Sequence, residues 1–331
     1  MILLAIIIVI ITFLSTRILI SKWIPKAERA GLVGKDMHKR NNPRIPEIGG
    51  LPVISGFLIG LFWYIGYLTF KPISSINPYP LLALIVSTMT AAIIGLVDDA
   101  LGWKIGLRIR YKIMLTFFIA VPIMILNLGN NTMHLPFYGP IHFGIVYPLL
   151  IIPLGIMGAA NGFNMIAGFN GLEAGQGIII LSTITYFAAQ NGHLELSLVS
   201  LIMIMALLAF LQFNLYPSRI FPGNILTYTI GGFIAIIAIM ADIEKYAMIL
   251  FIPYALQFFL KSRGKMKIES YAKVNEDGSL SKSQDKYYGI EHISIDVISK
   301  FKNKVYEQDV VHLIWAVQAL IAIIDIVYFT L

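Results

Sequence analysis

The feature that most constrains this chain is a series of ten long apolar runs separated by polar segments. The runs lie at about residues 2–20, 49–69, 81–97, 111–128, 143–159, 177–191, 196–213, 225–241, 246–260 and 312–330. Runs of this length approach the thickness of the hydrocarbon layer of a membrane. The backbone finds no water inside that layer, so each run must form a helix. The sequence therefore predicts an all-α polytopic membrane protein with about ten transmembrane helices.

Composition agrees with this class and narrows the chemistry. The 331 residues are 57% hydrophobic and 13% charged, and the mean hydropathy is +0.78, which is too apolar for a soluble globule. There is no cysteine, which excludes disulfides, thiolate nucleophiles and cysteine-bound zinc. The six histidines have no metal-ligand spacing, and no glycine-rich nucleotide fingerprint is present. Any metal would be a hard ion held by oxygen atoms.

The basic residues are distributed unevenly. The chain has five polar segments on alternate sides of the apolar runs, 17–48, 98–112, 160–176, 214–224 and 261–311. Of 25 Lys and Arg residues, 23 fall in these segments, although 160–176 has none, and only Lys71 and Lys245 lie elsewhere. Short basic segments stay in the cytoplasm during insertion, so these five segments should be cytoplasmic and the N-terminus outside. No cleavage site follows the first run, which we expect to remain as a helix. The net charge of +7 suits anionic head groups or an anionic substrate, and we expect no nucleic-acid binding.

Residues 261–311 form the longest polar insert. Rough alternation over residues 265–274, followed by the turn-forming residues 275–278, predicts a small β-hairpin. Apolar residues then recur four apart, which predicts a short amphipathic helix. We expect these apolar residues to pack together along one side of that helix. These residues are Ile293, Val297, Phe301 and Val305.

We therefore divide the chain into three parts. Residues 1–260 would form a transmembrane catalytic bundle of nine helices, residues 261–311 a small cytoplasmic α+β insert, and residues 312–331 the last transmembrane helix. No repeat of fixed period is visible, which argues against a transporter built from duplicated halves.

Adjacent carboxylates, Asp98 and Asp99, follow the third apolar run. Two neighbouring acids repel each other, so keeping both is useful where a divalent cation or a basic side chain compensates their charge. Arg110 and Lys112, at the start of the next run, could supply that base. An ordinary polar helix end explains the pair equally well.

Two further polar clusters occur in the predicted cytoplasmic segments. Residues 161–175 contain three Asn, one Glu and four Gly, which offer amide oxygens and close backbone approach, and a plain turn explains this length poorly. Residues 213–224 contain Arg219, whose guanidinium suits phosphate. They also precede a helix N-terminus, which favours an anion. Arg263 and Lys265 add cations, although both also suit ordinary membrane anchors.

Together these motifs resemble those of the polyprenol-phosphate N-acetylhexosamine-1-phosphate transferases, in particular the archaeal and eukaryotic branch that makes GlcNAc-diphospho-dolichol. The resemblance covers nearly the whole chain, including the ten helices and the insert before the last. It rests on four motifs: residues 45–50, the pair 98–99, residues 164–175 and residues 214–219. The last two motifs are highly specific.

The resemblance implies an activity and a set of site residues. It implies transfer of GlcNAc-1-phosphate from UDP-GlcNAc to a polyprenyl phosphate such as dolichyl phosphate, with release of UMP and with Mg²⁺ or Mn²⁺ as cofactor. The active site would face the cytoplasm. The archaeal branch of the family implies a plasma membrane, and a homodimer is one possible oligomeric state. The implied catalytic residues are Asp98, Asp99 and Lys112, the substrate-binding residues Asn170, Glu173, Arg219, Arg263, Lys265 and Glu47, and the metal ligands Asn164 and Asn224.

The chain departs from the family pattern at two positions. Asn224 stands where the pattern has an Asp that ligates the metal, and Gly264 stands where a His usually follows the arginine. The amide oxygen of Asn224 can still ligate magnesium, but one negative charge is missing. We expect weaker magnesium binding than an Asp would give, with Asp98 or Asp99 compensating.

Three alternatives to this function were compared with the sequence. A secondary transporter or lipid flippase would need charged groups near the middle of helices, whereas Asp98, Asp99, Glu173 and Arg219 lie at helix ends. The same chemistry could use another UDP-acetamido sugar. A CDP-alcohol phosphotransferase would need an Asp-x-x-Asp-Gly-x-x-Ala-Arg motif, which is absent.

Overall fold

The computed structural model describes residues 2–70, 77–102 and 108–330, so Lys71 and Lys104 lie outside the described residues. The helices are α1 (Ile2–Arg29), α2 (Gly50–Phe70), α3 (Tyr79–Leu101), α4 (Ile109–Ile125), α5 (Ile152–Met165), α6 (Leu172–Gln190), α7 (Leu194–Asn214), α8 (Gly223–Met240), α9 (Glu244–Leu250), α10 (Ile252–Arg263), α11 (Ile290–Ser299) and α12 (Glu307–Thr330). A π-helical turn, Tyr147–Ile151, leads into α5.

Three short antiparallel hairpins connect the helices. They pair β1 (Val33–Lys35) with β2 (Arg44–Pro46), β3 (Thr132–Leu135) with β4 (Gly139–His142), and β5 (Lys273–Val274) with β6 (Leu280–Ser281). The β3–β4 hairpin was not predicted from the sequence. In the part of the chain that the structure describes, eight helices are long and apolar enough to cross a membrane. The predicted class, an all-α polytopic membrane protein, is confirmed.

The two predicted runs outside those eight helices are also helical. Helix α4 has 17 residues, and the ninth run is broken at Phe251 into α9 and α10, so its prediction as one helix was wrong. The break is explained by Pro253, which has no amide hydrogen and cannot continue a helix without distortion. Gln318 of α12 donates from Nε2 to the carbonyl oxygen of Leu250 at 3.0 Å. This bond satisfies a carbonyl at the break.

Helix α8 lies at the centre of the bundle, with 83% of its length buried. Close approach of α3 to its first turn requires Gly95, because a Cβ at this position would lie 2.4 Å from the Cα atom of Ile225. Small residues at helix crossings allow backbones to pack tightly in membranes. The packing at Gly95 therefore holds the C-terminal end of α3, with its two acids, against the N-terminus of α8.

The insert forms a hairpin around the predicted turn, with two residues in each strand. The strand predicted from alternation over residues 265–274 is present only at Lys273–Val274, so its predicted length was wrong. Its helix, α11, ends at Ser299, so Phe301 and Val305 lie beyond it. Phe301 is 88% exposed, whereas Val305 is buried and accepts a backbone hydrogen bond from Leu280 at 2.7 Å. The prediction that all four apolar residues pack along one helix was therefore wrong: Phe301 and Val305 lie beyond the helix, and Val297, within it, is 38% exposed. Residue spacing alone does not show where a helix stops.

Candidate active site

The predicted site residues lie at one end of the bundle. Successive membrane helices alternate in direction, so the end of α3, the start of α4, the end of α5 and the start of α8 share this end. Backbone hydrogen bonds join the segment before α2 to the segment before α8. Phe221 donates its N–H to the carbonyl oxygen of Pro46 at 2.7 Å, and Gly50 donates to that of Pro222 at 2.8 Å. Glu47 is thereby held near the start of α8.

The two adjacent acids have different partners. Asp98 is buried, and its Oδ2 lies 2.5 Å from Nζ of Lys112, which confirms the prediction of a basic partner on the next helix. Asp99 accepts from the backbone N–H groups of Asn224 at 2.8 Å and Ile225 at 3.0 Å. These N–H groups belong to the first turn of α8, where a carboxylate is stabilised by otherwise unpaired donors and by the helix dipole. Asp98 therefore pairs with the ammonium group of Lys112, and Asp99 caps α8.

A threonine that the sequence analysis missed connects the side chain of Asn164 to the backbone of Asn224. The side-chain oxygen of Asn164, at the end of α5, accepts from the hydroxyl of Thr227 at 2.7 Å. The same hydroxyl lies 3.3 Å from the carbonyl oxygen of Asn224. Amide, carbonyl and carboxylate oxygens are the donors that magnesium prefers. The first turn of α8 thus brings together the side-chain oxygen of Asn164, the hydroxyl of Thr227 and the backbone carbonyl of Asn224.

Asn170 and Glu173 bond to the protein itself. Asn170 is buried, its Nδ2 donates to Asp36 at 3.2 Å and to Glu307 at 2.6 Å, and its Oδ1 accepts from the N–H of Ser218 at 2.6 Å. Glu173 is also buried and accepts from the N–H of Gly168 at 2.8 Å. Both residues therefore order the loop between α5 and α6. A substrate contact through the NH₂ group of Asn170 would have to replace a bond within the protein.

A buried charged cluster beside Asn170 was not predicted. One ligand atom from each of Asp36, His38 and Glu307 lies within 4.8 Å of the others, a spacing that could suit a metal. The positive charge between these acids comes from Lys39, because its Nζ lies 3.4 Å from Asp36 and also pairs with Glu307. Burial lowers the pKa of His38 to about 4, so this side chain is neutral at pH 7.

Little in the sequence indicated this cluster. Asp36 and Lys39 lie in a segment whose bases we interpreted only as an orientation signal, and Glu307 is far away along the chain. Their spacing of three residues was the one available hint. The contact with Glu307 depends on where α12 docks, which local sequence does not encode.

The remaining basic candidates stand apart from the acids and amides. Arg219, Arg263 and Lys265 are exposed, and none forms an ion pair within the described ranges. The guanidinium of Arg219 lies 5.2 Å from the ring centre of Phe213. Glu47 is partly buried, and its burial raises the pKa of its carboxyl group. The structure thus pairs Asp98 with Lys112 and connects Asp99 and Asn164 to the first turn of α8. Among the described residues, the three exposed bases have no ion pair.

Fold and site together define a class: a polytopic membrane protein that gathers acids, amides and a lysine where its helices leave the lipid. Comparison with known proteins agrees, since residues 81–242 match the model of glycosyl transferase family 4. A protein of Saccharolobus solfataricus is 36% identical over 306 residues, which cover 92% of this chain and 90% of that protein. The chain belongs to glycosyl transferase family 4, and the predicted family resemblance is confirmed.

The names of the relatives indicate their chemistry. The Saccharolobus protein carries a provisional name as a UDP-N-acetylglucosamine–dolichyl-phosphate N-acetylglucosaminephosphotransferase. A Dictyostelium discoideum enzyme of that name is 28% identical over 70% of this chain and 64% of its own length. A phospho-N-acetylmuramoyl-pentapeptide-transferase of Halalkalibacterium halodurans is 30% identical over 73% of this chain and 76% of its own length.

Proposed function

We propose that this enzyme transfers GlcNAc-1-phosphate from UDP-GlcNAc to a polyprenyl phosphate, with dolichyl phosphate as the first choice. An oxygen of the lipid phosphate attacks the β-phosphorus of UDP-GlcNAc, the bond from that phosphorus to the bridging oxygen breaks, and UMP leaves. The names of the relatives support this reaction. The observation that carries it is the pairing of Asp98 with Lys112 next to the first turn of α8, whose backbone N–H groups bind Asp99 and whose Thr227 binds Asn164.

We place the reaction at the cytoplasmic surface of the membrane, in the bundle formed by residues 1–260. A soluble nucleotide sugar approaches from water, while the prenyl chain of the acceptor stays in lipid. The site lies at the helix ends next to the basic segments that the positive-inside rule assigns to the cytoplasm. The insert, residues 261–311, is our candidate for sugar selectivity.

We also propose that the cofactor is Mg²⁺, with Mn²⁺ as a substitute. Asn164 and Asn224 would hold the ion, and Asp98 and Asp99 supply negative charge nearby. The oxygen-only donor set fits a hard cation. When bound, the ion would neutralise charge on the phosphoryl group in transfer.

The side chains themselves would orient and neutralise the substrates. Lys112, held by Asp98, would face the phosphates as a fixed positive charge, which is the main way in which proteins assist phosphoryl transfer. Arg219, Arg263 and Lys265 are exposed at the same face and free to bind the diphosphate. The lipid phosphate is already largely ionised near pH 7, so a strong general base is not required.

The function is tested with purified protein, Mg²⁺, a polyprenyl phosphate, and UDP-GlcNAc carrying radiolabel in the sugar. The proposal expects label in the lipid fraction together with an equal amount of UMP. Label in lipid with release of UDP would instead show ordinary glycosyl transfer and contradict the proposal. Competition by unlabelled UDP-GalNAc at equal concentration tests the choice of sugar.

Asn224→Asp is expected to strengthen magnesium binding. The substitution adds a negative charge in the first turn of α8, beside Asp99, and the affinity of such sites rises with the number of charged ligands. The Mg²⁺ concentration for half-maximal transfer should fall about tenfold, and Mg²⁺ should raise the melting temperature of the variant at lower concentrations.

Asn127→Asp is the matched control, because it adds the same charge at the opposite end of α4 from Lys112, where the side chain is exposed. It should leave both Mg²⁺ responses unchanged. If Asn224→Asp has the same or a weaker Mg²⁺ response than the wild type, Asn224 is not a metal ligand of the kind proposed.

A further inference from the structure

Glu307, the first residue of α12, is a buried meeting point of two loops. The residue is 3% exposed. Its Oε1 accepts from the backbone N–H and from Nδ2 of Asn170, each at 2.6 Å, and its Oε2 pairs with Nζ of Lys39. Hydrogen bonds to a charged acceptor are stronger than neutral ones. A carboxylate is also favoured at a helix N-terminus.

These partners lie in connections that carry proposed substrate groups. Asn170 belongs to the loop between α5 and α6, and its Oδ1 accepts from Ser218, the neighbour of Arg219. Lys39 belongs to the connection between β1 and β2, and β2 leads directly to Glu47. One carboxylate on α12 therefore links two connections directly, and through Asn170 it reaches a third, the segment before α8.

The chemistry of Glu307 also determines which way the amide of Asn170 points. An ionised carboxylate can only accept hydrogen bonds, so Glu307 and Asp36 must face the NH₂ end of the amide. The amide oxygen then points away from them, towards the N–H of Ser218. A carbonyl oxygen has two acceptor sites, so it retains one for a further donor. A glutamine at position 307 could both donate and accept, and it would no longer impose this orientation.

Helix α12 is held in place by other contacts. Nε1 of Trp315 donates to the carbonyl oxygen of Leu172 at 3.1 Å, and a Cβ at Gly175 would lie 2.1 Å from the Trp315 ring, so α12 and α6 are in close contact there. Gln318 anchors the same helix to the break before α10. Helix α12 therefore has contacts with the rest of the bundle that do not involve Glu307.

We propose that Glu307 is a positioning residue for the transfer reaction. It orients the amide of Asn170 and the ammonium group of Lys39, and it contacts no substrate itself. This inference rests on the proposed function for its kinetic consequences. Its structural part, the ordering of the two loops, does not depend on that function.

The first test compares steady-state kinetics of the full-length wild type and Glu307→Gln. The KM for UDP-GlcNAc should rise about tenfold while kcat falls less than about threefold, because the groups that meet the nucleotide lose their alignment. Combining Glu307→Gln with Asn170→Ala should cost less than the sum of the two single losses, since residues that act through one another are not additive. Independent, additive losses would overturn the proposal.

Asp309→Asn is the matched control, because Asp309 lies in the same first turn of α12 but pairs with Lys302 at the surface, at 2.8 Å. Its KM and kcat should stay within about twofold of the wild type. A Glu307→Gln variant with an unchanged KM, or one that loses only kcat and melting temperature, would show a structural role and overturn the inference.

Hydrogen exchange separates this inference from the proposed function. Peptides covering residues 33–46 and 164–176 should exchange faster in Glu307→Gln than in Asp309→Asn. Equal exchange in the two variants would overturn the inference, whatever the enzyme transfers. If the wild type transferred no label in the radiolabel assay, the proposed function would be rejected. The exchange result would still decide whether Glu307 orders the loops.

Discussion

Replacing Asp98 by Asn should lower the rate of GlcNAc-1-phosphate transfer about 10³-fold, the loss expected when a preorganised electrostatic group is removed. The Asp98 carboxylate is buried and lies 2.5 Å from Nζ of Lys112. An amide of the same shape removes the charge that holds this lysine and that contributes to the proposed metal site. The loss should appear in kcat, measured by UMP release at saturating UDP-GlcNAc and lipid phosphate.

Two controls accompany this substitution. Asp285→Asn makes the same chemical change at an exposed position in the insert, and its rate should stay within about twofold of the wild type. Lys112→Met should cause a loss of similar size, and the double variant should be little worse than either single one. If Asp98→Asn retained more than about a tenth of the activity, the acid could not have the central role proposed here.

Gly95→Ala is expected to destabilise the bundle by about 2 kcal/mol, the usual cost of overpacking a tight contact. The added Cβ would lie 2.4 Å from the Cα of Ile225 and 2.5 Å from the carbonyl oxygen of Asn224. Both are backbone atoms, so α3 and α8 must move apart. The acids Asp98 and Asp99 lie one helical turn further along α3, so transfer should fall at least about tenfold as well.

The measurements for Gly95→Ala are thermal unfolding in detergent and the transfer assay. Gly155→Ala provides a matched control within a membrane helix, since nothing lies within 4 Å of its added Cβ, and alanine has the better helix propensity. That variant should be as stable as the wild type or slightly more so. Equal stability of Gly95→Ala and Gly155→Ala would mean that the close crossing of α3 and α8 does not constrain the site.

Helix positions were largely predictable because in a membrane they follow from local composition. An apolar run must become a helix wherever it crosses lipid, whatever its neighbours are. The basic partner of Asp98 was also predictable, since Lys112 enters the next helix on the same side of the membrane. The break at Phe251 was missed although Pro253 was visible, because a proline near the start of a helix and one inside a run look alike in sequence.

Contacts between distant segments were not predictable in the same way. Asp99 was predicted, with Asp98, as a catalytic acid, and the structure shows in addition that it caps α8 through the N–H groups of Asn224 and Ile225. Asn170 was interpreted as a substrate contact, and the structure places it between Glu307 and Ser218. Each pairing joins segments far apart along the chain, which only helix packing brings within hydrogen-bonding distance.

The amino-acid sequence by itself determined that this protein crosses a membrane and which end of the helix bundle carries the polar side chains. It also determined the family to which the motifs point. The reason is that lipid leaves the backbone no choice but a helix, and the placement of Lys and Arg sets the orientation of those helices. Only the tertiary structure decided which acid holds Lys112, which one caps α8, and that Glu307 joins the loops around Asn170. Those roles depend on distances between side chains, and distances across a bundle are set by the packing of all its helices at once.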